Sequence, residues 1–158
     1  PYDRRFFRRD VAIPALGFDV FLDEANTEFT SAERIGRYIS DRAVGQVLLD
    51  RIRQSGRPSL FYAVTMENHG PWTDIDNYLE HVYNSDRLLG MVIESLDDSG
   101  RDYVLAFFGD HRPALRNVAS RGETPFVILR NIAPTSSVPP VTVSAAQLNE
   151  LLITAITS

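Results

Sequence analysis

The sequence predicts an α/β fold in which a mainly parallel sheet is layered between helices, α/β/α. Near-continuous apolar segments of strand length alternate along the chain with amphipathic segments of helical period. Strands that are apolar on both faces are typical of parallel sheets covered by helices. The length of 158 residues suits one domain, or a large part of one, with a substantial core.

The first half of the chain contributes two predicted strands and one helix. A short strand is predicted at 18–22 (FDVFL), and a buried strand at 59–66 (SLFYAVTM). Between them, a helix is predicted over 40–54, because Ser40 or Asp41 can cap its start and an apolar stripe recurs at helical spacing.

The second half contributes a long helix, two strands and a final helix. The long helix spans 76–98, and we expect Asp86 to be a buried structural carboxylate and His81 to lie on the surface. Strands are predicted at 102–108 and 125–130. A capping box predicts that the last helix begins after Ser144 and runs to about Ile156, with Gln147 as the reciprocal partner.

Composition excludes several kinds of chemistry. The chain has no Cys, so thiol nucleophiles and Cys-ligated zinc are excluded. All 16 basic residues are Arg, so Schiff-base lysines and a P-loop lysine are excluded as well. The net charge of −5 argues against nucleic acid as a partner. Carboxylates, three His, hydroxyls and Arg remain for catalysis or binding.

Two predicted strands run directly into segments that contain His and a carboxylate. The 102–108 strand is followed by Gly109, Asp110 and His111. A carboxylate oxygen and an imidazole suit Mn²⁺, Zn²⁺ or Mg²⁺, and Gly109 allows the strand to end so that both side chains reach one ion. The alternative is a capping Asp beside a loop His that is satisfied by backbone.

The 59–66 strand is followed by Glu67 and His69. His69 could donate a hydrogen bond to an anion or act as a general acid, or it could be a turn histidine ahead of Gly-Pro. Glu67 is a weaker alternative metal ligand. Ligands of open α/β sheets bind beyond the carboxyl ends of the strands, where both segments are expected.

Residues 1–10 contain four Arg and three aromatic side chains. Arg matches phosphate geometry with two parallel hydrogen bonds, so this segment could bind an anion. Taken by itself, the segment is more typical of a solvated basic arm.

Taken together, several segments resemble successive blocks of the sulfatase-type alkaline phosphatase superfamily. They are FFRRD with ALGFDVFLDEA, FYAVTMENHGPW, NSDRLLGMVIESL, VLAFFGDHRPAL and TPFVILRNIAP. Among its branches, the sequence is most similar to the lipoteichoic acid synthase and phosphoglycerol transferase group. The resemblance implies an alkaline phosphatase/sulfatase-like fold, with residues 1–158 as the C-terminal portion of a single catalytic domain.

The resemblance also implies an activity. Such enzymes transfer phosphoglycerol or phosphoethanolamine from a phospholipid head group to an acceptor glycan. They are membrane-anchored through an upstream part of the chain, and the catalytic domain is extracytoplasmic. One divalent metal ion is expected, with Mn²⁺ as the first candidate and Mg²⁺ or Zn²⁺ as alternatives.

Site residues follow from the matching motifs. Asp110 and His111 match the metal-binding pair of the family's GDH block, and His69 matches a substrate-contacting His. Arg9 matches an Arg that binds the phosphate, and Phe7 stands where lipoteichoic acid synthases carry Trp. The nucleophilic Thr and a metal-binding Glu are expected upstream of Pro1. This chain alone is therefore expected to be inactive and, with only two ligands, to hold the metal weakly.

Two other functions are compatible with the same residues. A sulfatase or phosphodiesterase would use the same metal geometry with water as the acceptor, because sulfate and phosphate are nearly isosteric. A non-catalytic domain of this fold would bind a glycan or a lipid head group without turnover.

Overall fold

Four helices and two antiparallel strand pairs make up the regular structure of the chain, as a computed structural model describes it for residues 2–29, 31–113, 122–132 and 139–158. These elements divide into two units, residues 1–92 and 93–158. No helix within the described ranges is long and apolar enough to cross a bilayer.

In the first unit, a 3-10 turn at Phe6–Arg8 leads into helix α1, Arg9–Ala15. A small hairpin pairs β1 (Arg34–Ile35) with β2 (Tyr38–Ile39). Gly36 has φ +59°, which permits the tight turn between these strands at no steric cost.

Helix α2 (Asp41–Gln54) begins directly after the hairpin and buries Ala43, Val44 and Leu49. The hydroxyl of Ser40 accepts a hydrogen bond from the amide of Ala43 at 3.1 Å, so Ser40 is the N-cap. Behind it, a buried cluster gathers residues from three segments of the chain: Phe29, Ile39, Ala43 and Val44, with Leu22, Ala32 and Val47 at its edge.

Helix α3, Ile75–Asp98, packs against α2 through a glycine. A Cβ added at Gly45 would lie 2.5 Å from Leu88 Cδ1 and 2.3 Å from Met91 Cε. Gly45 is therefore required for the close approach of the two helices at this point.

In the second unit, β3 (Val104–Phe108) pairs antiparallel with β4 (Phe126–Arg130). Helix α4, Ala145–Thr157, begins with the expected capping box, in which Ser144 and Gln147 satisfy each other's amides. Arg130 binds the end of α4, since its Nη1 donates to the carbonyl of Ala155 at 3.2 Å and to Ser158 Oγ at 2.8 Å.

Two predicted strands are not formed. Residues 18–22 and 59–66 have no ladder partner among the described residues, and a strand requires one. Leu60 and Tyr62, expected inside a sheet, are 73% and 58% exposed. Both observed strand pairs are antiparallel, so the predicted parallel pairing is not present in the described ranges.

Candidate functional site

The segment before α1 is held in a strained conformation that projects an aromatic ring. Phe7 and Arg8 have φ of 54° and 53°, the left-handed region that costs non-glycine residues about 1–2 kcal/mol each. Amide-to-carbonyl bonds from Arg8 to Arg5 and from Asp10 to Arg4, both 2.9 Å, hold this turn. In this turn the Phe7 side chain is 79% exposed. Strain of this kind clusters at functional sites.

Arg9 belongs to a continuous run of ring contacts, which we call the aromatic–arginine cluster. Its guanidinium carbon lies 5.7 Å from the centre of the Phe6 ring. Phe6 contacts Phe7 at 4.4 Å and Tyr2 at 5.2 Å between ring centres, and Tyr2 lies 5.8 Å from Tyr38. The cluster therefore joins the N-terminal turn to the β1–β2 hairpin.

His69 completes this cluster. Its ring centre lies 5.7 Å from that of Tyr38, and the Tyr38 hydroxyl is 3.2 Å from His69 Nδ1. Three residues that the sequence singled out for substrate binding, Arg9, Phe7 and His69, thus occur in one run of contacts within the first unit.

The loop that carries His69 is anchored by a buried carboxylate. Glu67 is 3% exposed, and its two oxygens accept hydrogen bonds from the amide of Asp41 and from Asn84 Nδ2, both at 2.6 Å. The amide of His69 closes the turn on the carbonyl of Met66 at 3.0 Å. Glu67, the alternative metal ligand, is instead engaged in holding this loop.

Asp41 lies beside Glu67 and is fully buried. Ser85 Oγ donates to its Oδ2 at 2.6 Å, while its Oδ1 has no hydrogen-bond partner among the described residues. Burial raises the pKa of Asp41 to about 6; the bond from Ser85 opposes this rise, and the neighbouring charge of Glu67 adds to it.

Two expectations about α3 were wrong. His81, expected at the surface, is largely buried, and its Nδ1 lies 3.4 Å from Glu67 Oε1. Asp86, expected to be buried, is exposed, and its neighbour Ser85 takes the inward position toward Asp41 instead. Neighbouring side chains on a helix point about 100° apart, so Ser85 faces inward while the next residue, Asp86, faces solvent.

In the second unit, Asp110 and His111 follow the end of β3 as expected. Gly109 is tied to the start of β4, because its carbonyl accepts from Thr124 Oγ1 at 2.7 Å and its amide donates to the carbonyl of Pro125 at 3.1 Å. A Cβ at Gly109 would approach Thr124 Cβ to 3.3 Å, so a larger residue would loosen this attachment.

The two side chains beyond Gly109 converge and are open to solvent. Asp110 Oδ1 lies 3.7 Å from His111 Nε2, and the side chains are 78% and 65% exposed. A hard oxygen and an imidazole nitrogen at this separation fit two positions around a divalent cation. Across the described ranges, no group of three or more His, Asp or Glu side chains could hold a metal ion.

In the first unit, the sequence did not indicate the contacts of Tyr38 with His69 and of Asp41 with Glu67. Asp41 could be placed at the start of a helix from the capping pattern, but Tyr38 and His69 are 31 positions apart and Asp41 and Glu67 are 26 apart. No local pattern in the sequence signals contacts over such separations.

Comparison with known proteins identifies the family. The family model described as "Sulfatase" matches residues 1–135. The chain is 33% identical over 132 residues to the capsular polysaccharide biosynthesis protein RkpI of Rhizobium meliloti (strain 1021), covering 75% of this chain and 24% of that protein.

A second protein of the same organism, named for cyclic beta-1,2-glucan modification, is 25% identical over 141 residues, which cover 76% of this chain and 22% of that protein. The chain therefore spans less than a quarter of the length of these relatives. No solved structure matches it.

These matches confirm the resemblance to the sulfatase-type alkaline phosphatase superfamily that the sequence motifs indicate. A sulfatase domain implies the α/β fold of alkaline phosphatase, the fold class expected from the alternating segments. Since the match extends over residues 1–135 of 158, the chain belongs to the sulfatase family.

Proposed function

We propose that the protein carrying this chain is a metal-dependent transferase that moves phosphoglycerol or phosphoethanolamine from a phospholipid head group to a glycan of the cell envelope. Family membership supports an enzyme. The names of the two relatives, capsular polysaccharide biosynthesis and cyclic glucan modification, support a glycan as the acceptor.

The aromatic–arginine cluster is the observation that carries this proposal. It places a permanently charged guanidinium, Arg9, and an imidazole, His69, at two ends of one run of contacts. A phosphodiester under transfer spreads negative charge over its oxygens, and positioned N–H donors stabilise that charge most effectively. Arg adds a planar pair of donors that matches two oxygens of one phosphate.

Phe7 offers an apolar surface for the lipid donor in addition to the charged group of Arg9. Its ring is 79% exposed and lies 4.4 Å from Phe6, which in turn contacts Arg9. A phospholipid presents a charged phosphate next to apolar or weakly polar groups. We infer that Arg9 binds the phosphate and that Phe7 contacts the adjoining part of the donor.

Domains of the sulfatase family are generally metal-dependent. We propose that Asp110 and His111 hold one divalent ion, with Mn²⁺ preferred and Mg²⁺ or Zn²⁺ as alternatives, and that further ligands come from other parts of the protein. Such an ion, when bound, acts as a Lewis acid and lowers the pKa of the attacking hydroxyl. In the net reaction, the P–O bond to the lipid alcohol breaks, a P–O bond to the acceptor hydroxyl oxygen forms, and the proton of that hydroxyl ends on the released diacylglycerol.

The same proposal places the reaction outside the cytoplasm, in a protein anchored to the membrane that supplies the donor. We further infer that the strands of this chain belong to a larger sheet with mainly parallel strands. Leu60 and Tyr62, at 73% and 58% exposed, lie in the segment that would pair with such strands.

A substrate panel tests the proposed reaction. The full-length gene product is incubated with Mn²⁺, an envelope glycan, and either phosphatidylglycerol, phosphatidylethanolamine or an aryl sulfate. We expect the glycan to gain a phosphodiester-linked group from one of the phospholipids, as measured by mass spectrometry. Release of the head group without a modified glycan would establish a hydrolase. Binding without any turnover would establish a non-catalytic domain.

A further inference from the structure

The hydroxyl of Tyr38 bridges the guanidinium of Arg37 and the imidazole of His69. Arg37 Nη2 lies 2.5 Å from Tyr38 Oη, and His69 Nδ1 lies 3.2 Å from the same oxygen. The Tyr38 residue is only 5% exposed, and a buried phenol requires partners for its hydroxyl. The turn of the hairpin, strand β2 and the 67–69 loop are thus joined through one oxygen atom.

The proton positions in this bridge follow from the chemistry of the three groups. A guanidinium has no acceptor, so Arg37 donates to Tyr38 Oη. Among the hydrogen bonds described for Tyr38, the remaining partner able to accept its hydroxyl proton is His69 Nδ1. Nδ1 is then unprotonated, and in the neutral imidazole the proton resides on Nε2.

A competing arrangement exists but has poorer geometry. His69 Nδ1 also lies 3.4 Å from the carbonyl oxygen of Gly70, to which a protonated Nδ1 could donate. That distance exceeds the usual range for N–H···O bonds, about 2.7–3.2 Å. It would also leave the buried Tyr38 hydroxyl with a proton and no described acceptor.

The charge of Arg37 reinforces the same arrangement. Its guanidinium carbon lies 4.7 Å from the centre of the Tyr38 ring, so the cation both contacts the ring and binds its oxygen. A phenol whose oxygen accepts from a cation becomes a stronger donor through its own hydrogen, because hydrogen bonds in a chain polarise one another. The bond to His69 Nδ1 is strengthened in turn.

We propose that Tyr38 is a positioning residue that fixes His69 in the Nε2-protonated tautomer, so that the imidazole offers a neutral N–H donor to an anionic oxygen of the substrate. The identity of that anion as a phosphodiester rests on the proposed function, whereas the tautomer itself does not. His69 acts in this account as a hydrogen-bond donor, and Tyr38 acts only through it.

Nuclear magnetic resonance of the ring nitrogens tests the tautomer without any need for turnover. The full-length gene product is labelled with ¹⁵N at histidine, and His69→Gln assigns the signal. We expect His69 to show one protonated nitrogen, Nε2, at neutral pH. In Tyr38→Phe, which keeps the ring and removes the hydroxyl, we expect the two ring-nitrogen shifts to move toward each other as both tautomers become populated. Tyr83→Phe, on the exposed face of α3, is the matched control and should leave the signal unchanged.

Two results would overturn the proposed effect of Tyr38 on the His69 tautomer. One is a wild-type His69 protonated at Nδ1, and the other is a Tyr38→Phe variant whose His69 shifts equal those of the wild type. Because neither result depends on the substrate, failure of the transferase proposal would leave this test intact.

Inorganic phosphate then probes the functional half of the proposal. We expect phosphate to shift the His69 Nε2 signal in the wild type, with binding in Tyr38→Phe weaker by about twofold or more, because the apparent affinity falls with the fraction of His69 in the Nε2-protonated tautomer. If the tautomer changes but phosphate affinity does not, Tyr38 does not position His69 for an anion. Lost phosphate binding in Tyr83→Phe would indicate a general structural effect and would equally contradict the specific role of Tyr38.

Discussion

Replacing Asp41 by Asn should remove a pH dependence of stability that the fold imposes on this buried carboxylate. Burial raises the pKa of Asp41 from 3.8 to about 6, so the folded chain favours the neutral carboxyl. The group therefore stabilises the fold fully below about pH 4, and that contribution is lost as the pH rises through about 6. Asn is neutral throughout and can still accept the bond from Ser85.

The size of the effect follows from the two pKa values. The difference between 3.8 and about 6 corresponds to about 3 kcal/mol of unfolding free energy. We therefore expect Asp41→Asn to gain about 3 kcal/mol relative to the wild type between about pH 4 and about pH 7.5.

Urea denaturation of the full-length gene product at a series of pH values measures this difference. Asp86→Asn is the matched control, since Asp86 is exposed on α3 and should give a pH profile parallel to that of the wild type. If the Asp41→Asn and wild-type profiles are parallel, or if the wild type gains stability relative to the variant as the pH rises from about 4 to about 6, the buried-carboxyl argument is refuted.

Three further outcomes are expected. Gly90→Ala should stabilise α3 by about 0.5–1 kcal/mol, because nothing lies within 4 Å of the added Cβ. Gly45→Ala should lose that gain or be destabilising, because its added Cβ would clash with the Met91 side chain. Thermal melting compares the two variants. Ser144→Ala should cost about 1 kcal/mol through loss of the capping box, as hydrogen exchange in α4 would report, and unchanged exchange would contradict it. Arg9→Ala should lower turnover, and Arg9→Lys should restore it only in part, because Lys lacks the planar pair of donors of a guanidinium. Full activity of Arg9→Ala would indicate that residues 1–10 are a solvated basic arm.

Elements with local signals could be predicted closely from the sequence. The helix expected at 40–54 is Asp41–Gln54, and the one expected at 76–98 is Ile75–Asp98. Capping residues and apolar periodicity act over a few neighbouring positions, so they can be recognised in the sequence without knowledge of the fold. The β3 and β4 strands were likewise expected within two residues of their bounds.

Elements that depend on distant partners could not be predicted. The segment 59–66 is apolar and β-prone, yet a strand forms only where another strand pairs with it. The hairpin at residues 34–39 is two residues per strand and gives almost no periodic signal. The roles of Tyr38 and Glu67 arise from contacts over 31 and 26 positions, which only the folded chain reveals.

The sequence was more informative about which residues carry chemistry than about what surrounds them. Asp110 and His111 could be placed beyond the end of a strand because Gly109 follows an apolar run, and they lie there, 3.7 Å apart. Helix α3 shows the opposite case: Asp86, expected inside, is exposed, and His81, expected at the surface, is largely buried, because an error of one position turns a helical side chain by about 100°. The roles of Asp110 and His111 as metal ligands stay a prediction.

The central claim is that a divalent ion bound by Asp110 and His111 serves phosphoryl transfer, and one measurement tests it most directly. The full-length gene product is given phosphatidylglycerol labelled in its head group together with an envelope glycan, and label on the glycan is measured against Mn²⁺ concentration for the wild type and Asp110→Ala. Asp102→Ala, just before the opposite end of β3, is the control. The account predicts Mn²⁺-dependent labelling by the wild type and the control, and labelling lower by about a hundredfold or more in Asp110→Ala. Equal labelling by Asp110→Ala at every Mn²⁺ concentration would contradict it.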